Sequence, residues 1–174
     1  AAGLQANLGE SAVINSVIDG TDGLIKTGGG SIRLGATNLY SGVTTISNGS
    51  LIISNEAALG TSSVVVTGGN LANPGNVGNT RGMGGGALVL DGTTAGFNFT
   101  RDLSLQGLGP IGDRSAALIS VGNNTLSGTV NAAPVAPGTT TNVNTRITSA
   151  NGTLTLGGTL NAQGAAGTAI TILG

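Results

Sequence analysis

A five-residue phrase recurs four times in this chain: a glycine, a small residue, then two aliphatics flanking a variable position. The copies are Gly30-Ser31-Ile32-Arg33-Leu34, Gly49-Ser50-Leu51-Ile52-Ile53, Gly86-Ala87-Leu88-Val89-Leu90 and Gly152-Thr153-Leu154-Thr155-Leu156. Their starts are separated by 19, 37 and 66 residues, which fits one, two and three turns of about 19–22 residues in a coiling chain. Alternation of this kind reads as short strands. A fixed period near twenty residues marks a solenoid, where each turn buries its apolar side only by stacking on its neighbours.

The residue inventory suits such a stack better than a sphere. Only 7% of the 174 residues are charged and 33 are Gly, against roughly 25% charged and about 7% Gly in an ordinary domain. Low charge with a mean hydropathy of +0.29 argues against disorder. Two Phe, one Tyr and no Trp leave Val, Ile and Leu to fill the interior. The expected fold is all-β, a parallel β-helix of about eight turns and on the order of 40 Å long, formed by residues 1–174 as one segment. Strands are expected at 12–18, 23–26, 31–34, 43–47, 50–54, 63–67, 87–91, 97–105, 116–121, 126–131, 145–149, 153–156, 159–162 and 169–173. Asn-Gly corners also fit antiparallel hairpins, but the recurring phrase at a near-fixed period favours the coil. Residues 56–59 fit one helical turn ended by Gly60. Two stretches leave the rhythm, 70–86 and 132–144, and both read as loops on the side of the stack.

Several function classes are excluded early. A net charge of −1, with scattered charges and few aromatics, leaves no basic stripe or stacking platform for nucleic acid. No run of 18 apolar residues is present, so this segment inserts no helix into a membrane, and the aromatic girdles of a membrane barrel are missing. The absence of Cys and His removes disulfides, thiolate and imidazole metal sites, and the commonest general base. Gly107-Leu108-Gly109-Pro110-Ile111-Gly112 matches G-x-G-x-x-G in letters, but a strand-like run follows where a dinucleotide site needs a helix. Asp19-Gly20-Thr21-Asp22-Gly23 falls short of the six to eight oxygens calcium takes and reads as a turn. Asn48, Asn98, Asn123 and Asn151 head N-x-Ser/Thr triplets that a corner-rich stack produces without glycosylation. Thr-x-Thr pairs such as Thr153-Leu154-Thr155 are too sparse for an ice-binding array. No cofactor is expected.

Residues 24–66 carry an ordered set of landmarks: Lys26, Gly30-Ser31-Ile32-Arg33-Leu34, Tyr40-Ser41-Gly42, Thr44-Thr45-Ile46, Gly49-Ser50-Leu51 and Ala58-Leu59-Gly60. This set resembles the autotransporter-associated β-strand repeat of bacterial surface proteins. The later half shares only the glycine phrase. The resemblance implies a right-handed parallel β-helix displayed outside a Gram-negative-type cell, with a membrane-embedded translocator downstream. The family is defined by scaffold and export, so no active site carries over.

The expected role is therefore structural, and not that of an enzyme: a stalk, spacer or fibre subunit, extracellular or on the cell surface. Its expected partner is itself, by end-to-end stacking or by covalent continuation of the coil. Ala1 and the aliphatic run at 169–173 read as the ends of a piece of something longer. Two rivals remain. An adhesin or glycan-binding passenger would use the 70–86 loop, with Arg81 and Met83 as contacts. A polysaccharide-active enzyme would use Asp102 and Asp113, flanked by Arg101 and Arg114, as the paired acids such chemistry requires; exposed ion pairs are the plainer reading of that cluster.

Overall fold

The structure is a computed structural model that describes residues 1–67, 85–110, 116–132, 145–162 and 170–174. Its strands are β1 (Ala2–Gln5), β2 (Ser11–Ile14), β3 (Leu24–Thr27), β4 (Ser31–Leu34), β5 (Thr44–Ile46), β6 (Gly49–Ile53), β7 (Val64–Val66), β8 (Gly86–Gly92) and β9 (Asn98–Phe99). They continue as β10 (Leu103–Leu105), β11 (Leu118–Gly122), β12 (Asn124–Leu126), β13 (Val130–Ala132), β14 (Thr145–Ala150), β15 (Leu154–Leu156), β16 (Leu160–Ala162) and β17 (Ile170–Leu173). Among the described residues the one helical element is a 3-10 turn, Glu56–Leu59. Asn55 caps it by accepting the Ala58 N–H, and Gly60 ends it.

The strands form three sheets. The first has the order β1-β3-β5-β7-β10-β13-β16, the second β2-β4-β6-β8-β11-β14-β17, and the third β9-β12-β15. Among the described residues every strand pairing is parallel, and each strand meets the strand from the next pass of the chain. Through β8 the chain alternates between the first and second sheets; afterwards it visits the third sheet on the way back. All-β content and parallel pairing thus agree with the sequence reading.

Register makes columns. In the second sheet Ala12, Ile32, Leu51, Leu88, Leu118, Ile147 and Ile172 stand one above another. In the first sheet one column runs Ala2, Leu24, Thr44, Val64, Leu103, Val130, Leu160, and another runs Leu4, Lys26, Ile46, Val66, Leu105, Ala132, Ala162. Away from the two ends these positions are buried. Each buried aliphatic contributes roughly 1.5–3 kcal/mol.

The glycine of the recurring phrase has a steric origin. Gly30, Gly49 and Gly86 sit at the corner leading into the second sheet, where an added Cβ would lie 2.2, 2.2 and 2.1 Å from a backbone oxygen. Gly49 also has φ +67, a conformation that L side chains disfavour.

Three details of the sequence reading are corrected. The 37-residue spacing is one pass and not two, because Gly49 pairs directly with Gly86 and Leu51 with Leu88. The fourth copy is in a different sheet: Leu154 and Leu156 pair with Asn124 and Leu126 in the third sheet, not beneath Leu88 and Leu90. The cause is a second glycine corner. Gly92, Gly122 and Gly152 each meet an oxygen of another pass within 2.5 Å of an added Cβ, so the same local phrase arises at two corners. The expected strands 97–105 and 126–131 each break in two at a sheet change, and 12–18 ends at Ile14. Of the side loops, Gly86 opens β8 and Ala132 closes β13; residues 70–84 and 133–144 lie outside the described residues.

Gly49→Ala is expected to destabilise the fold by roughly 2–4 kcal/mol, through positive φ and steric conflict together. Gly3→Ala, where an added Cβ meets nothing within 4 Å, is expected to stay within about 0.5 kcal/mol. Thermal unfolding followed by circular dichroism compares the two.

Candidate functional site

Three polar residues of the 24–66 landmarks, Lys26, Tyr40 and Thr44, are buried inside the stack. Lys26 is buried in the otherwise aliphatic Leu4–Ile46 column of the first sheet. Its ammonium donates to Thr27 O at 2.7 Å, Gly28 O at 2.8 Å and Asn48 O at 3.0 Å. Those carbonyls belong to corners of two successive passes, and they use all three ammonium donors. Burial lowers the Lys26 pKa from 10.5, since desolvation disfavours the charged form.

Tyr40 forms a second post. Its hydroxyl is 2.7 Å from Thr44 Oγ1, which is 3.1 Å from Ser62 Oγ, and Ser62 donates to Leu59 O. Burial raises the Tyr40 pKa, partly offset by the hydrogen bonds. Asn38 is a third post: its Oδ1 accepts the Ile18 N–H at 2.8 Å and its Nδ2 donates to Ala58 O at 2.6 Å. It therefore ties three passes together. Asn124 ties two passes in the later half, its Nδ2 lying within hydrogen-bond distance of Leu90 O in the neighbouring pass and of Ser120 Oγ and Val121 O in its own.

The ion pairs are structural in the same sense. Arg33 binds Asp91 across passes and donates to Ser54 Oγ. The Asp91 pKa is lowered, first by the Thr93 hydroxyl and then by Arg33. Arg101 does not pair with Asp102. It lies 3.4 Å from Glu56 Oε1 and donates to the carbonyls of Leu59, Gly60 and Ser62. Glu56 in turn accepts the Thr100 and Arg101 N–H groups at 2.8 and 3.0 Å. This clamp joins the 3-10 turn to the start of the three-sheet region. No spacing rule links positions 56 and 101, so sequence reasoning missed it.

Asp102 is exposed, and its Oδ1 accepts the Thr129 N–H at 3.0 Å, an intercoil bond. Asp113, Arg114, Arg81 and Met83 lie outside the described residues. Of the 107–112 match, residues 107–110 are described: Gly107 and Gly109 have φ +81 and +79, and the next described element is strand β11. Asp19 Oδ1 accepts the Gly20 N–H, and Asp22 is 84% exposed. Among the described residues there is no group of three or more His, Cys, Asp or Glu that could hold a metal ion, and no helix long and apolar enough to cross a membrane. Asn48 and Asn123 bond backbone N–H groups, and Asn98 accepts from Ser127. Asn161 Nδ2 donates to Asn131 Oδ1 at 3.1 Å, a like-with-like pair between the neighbouring strands β16 and β13.

No protein-family model, curated protein or solved structure matches the chain. The resemblance of residues 24–66 rests on the residues quoted for it.

Asn38→Ala leaves two backbone groups without their partner and is expected to cost roughly 2–4 kcal/mol, measured by urea unfolding. A pH series separates two posts. Lys26, with its folded pKa below 10.5, binds its proton more weakly in the folded state, so its contribution to stability rises with pH through that window. Tyr40, with its folded pKa above 10.0, contributes stability that is lost as pH climbs past 10. Lys26→Met is therefore expected to lose stability more steeply between pH 9 and 11 than the parent, and Tyr40→Phe less steeply.

Proposed function

We propose that this chain is a passive structural element: a segment of an extracellular β-solenoid acting as stalk, spacer or fibre subunit on or outside a bacterial cell. The observation that carries this reading is the in-register parallel stacking of seven strands in each of two sheets, with the landmark residues Lys26, Tyr40 and Thr44 buried inside it. On this reading the chain closes seven coils, against the eight expected from spacing, and the stack is about 35 Å long at 4.8 Å per coil. Right-handed coiling and display outside the cell follow from the resemblance of residues 24–66 to the autotransporter-associated repeat.

Two features favour a scaffold over a catalyst. Lys26, Arg33 and Arg101 are each bound to backbone or to an internal carboxylate, which leaves them poorly placed for a substrate. Asp102 is engaged with Thr129. An adhesin using Arg81 and Met83 is the second reading, favoured by the long stretch of sequence between β7 and β8.

Nitroxide pairs on the outward column Ile25, Thr45, Val65, Ser104, Asn131 test the coil. Separations between labels are expected to grow by about 4.8 Å per strand. A set of distances that fails to rise in that order excludes the solenoid. Screening against a glycan array and a polysaccharide panel tests the role. Binding lost on deletion of residues 70–86 would replace the scaffold reading with the adhesin, and turnover abolished by Asp102→Asn or Asp113→Asn would replace it with the enzyme.

A further inference from the structure

Two Asn-Gly steps occur in the chain, each followed by a small hydroxyl residue and a leucine: Asn48-Gly49-Ser50-Leu51 and Asn151-Gly152-Thr153-Leu154. The letters match and the surroundings do not. Asn48 lies at the corner between β5 and β6, and both of those strands have neighbours from other passes on either side. Its side-chain Oδ1 accepts the N–H of its own successor, Gly49, at 2.7 Å. That contact sets the Gly49 nitrogen beside Cγ, the carbon that carries Oδ1. Gly49 has no Cβ to obstruct an approach, and Gly30 O, 2.2 Å from an added Cβ, keeps larger residues out of the position.

Lys26 completes the arrangement. Its ammonium donates to Asn48 O at 3.0 Å, and that oxygen belongs to the same peptide group as the Gly49 nitrogen. When an amide nitrogen loses its proton, much of the negative charge moves to the carbonyl oxygen. A buried cation already bonded to that oxygen stabilises the anion far more than water does. Nucleophile, attacked carbon and activating charge are therefore held together before any reaction, and such positioning lowers a barrier. Asn48 is itself only partly buried, so water reaches the corner. The other step lacks this help: Lys26 is the chain's only lysine, and Asn151 O accepts the neutral Gly122 N–H.

We propose that Asn48 and Gly49 react with one another without an enzyme, Lys26 stabilising the ionised amide, which makes this corner a self-modifying site. Water takes the Gly49 N–H proton, and the nitrogen electron pair forms a bond to Asn48 Cγ. The Cγ–Nδ2 bond breaks, and Nδ2 leaves as ammonia with a proton from water. A five-membered succinimide remains. Water then adds to one of its two carbonyl carbons. Breaking the new Cγ–N bond leaves aspartate at position 48; breaking the original peptide bond leaves isoaspartate, which routes the main chain through Cγ and lengthens the corner by one atom. One water enters and one ammonia leaves, and a carboxylate replaces a neutral amide at the residue whose carbonyl Lys26 holds.

The 174-residue chain is incubated at mildly alkaline pH, once folded and once in denaturing guanidinium, and both Asn-Gly peptides are followed by mass spectrometry. In guanidinium the two steps are expected to convert at similar rates. In the folded chain Asn48 is expected to convert roughly tenfold faster than in guanidinium, and faster than Asn151. Lys26→Met, with folding checked by circular dichroism, is expected to slow Asn48 roughly tenfold and leave Asn151 unchanged. The proposal is overturned if Asn48 converts more slowly folded than unfolded, or if a folded Lys26→Met chain converts Asn48 as fast as the parent. Should Lys26→Met fail to fold, the comparison of folded and unfolded parent decides alone.

Discussion

Parallel in-register pairing obliges every residue to live beside its own equivalent from the neighbouring pass, and the rest of this structure follows from that demand. The corner into the second sheet is tight in three successive passes, which is why Gly30, Gly49 and Gly86 recur there. Aligned positions of neighbouring strands face the same way, so aliphatics accumulate in columns. Bulky aromatics fit such a layer poorly. Phe99 and Tyr40 are buried at the return side, away from the repeating columns of the first two sheets.

Lys26 is the exception that explains the corner. A cation in an aliphatic column is costly unless its donors are satisfied. Here no carboxylate answers it; three carbonyls do, from two successive passes. The chain turns sharply between the first and second sheets, and the ammonium donates to carbonyls at that turn. One ammonium, with three donors against the two of a side-chain amide, serves three corner carbonyls at once. Asn38 and Asn124 solve the same problem at the opposite corners, one in each half.

The fold was largely legible because alternation and glycine corners are local, and locality is what sequence displays. The limits were also physical. The fourth phrase, at Gly152, could not be told from the others because the corner into the third sheet imposes the same absence of a Cβ as the corner into the second. Strand β1 was missed because Ala-Gly-Leu-Gln has no β-branched residue; it is a strand because β3 pairs with it. Lys26 stood out by its place in the landmark set, but its burial did not, since nothing in the letters says which carbonyls converge on it. The Glu56–Arg101 clamp was illegible for a different reason: its partners are brought together only once the passes have stacked.

That clamp stands where the molecule changes girth. Below it, successive equivalents such as Ile32 and Leu51 are 19 residues apart; above it, Leu88 and Leu118 are 30 apart. A stack whose members touch only their immediate neighbours is prone to melt in two pieces at such a seam. Glu56 and Arg101 rivet the seam from both sides, binding the last turn of the slender part to the first strands of the broader one. The first- and second-sheet ladders run unbroken across this seam while the third sheet is added beside them.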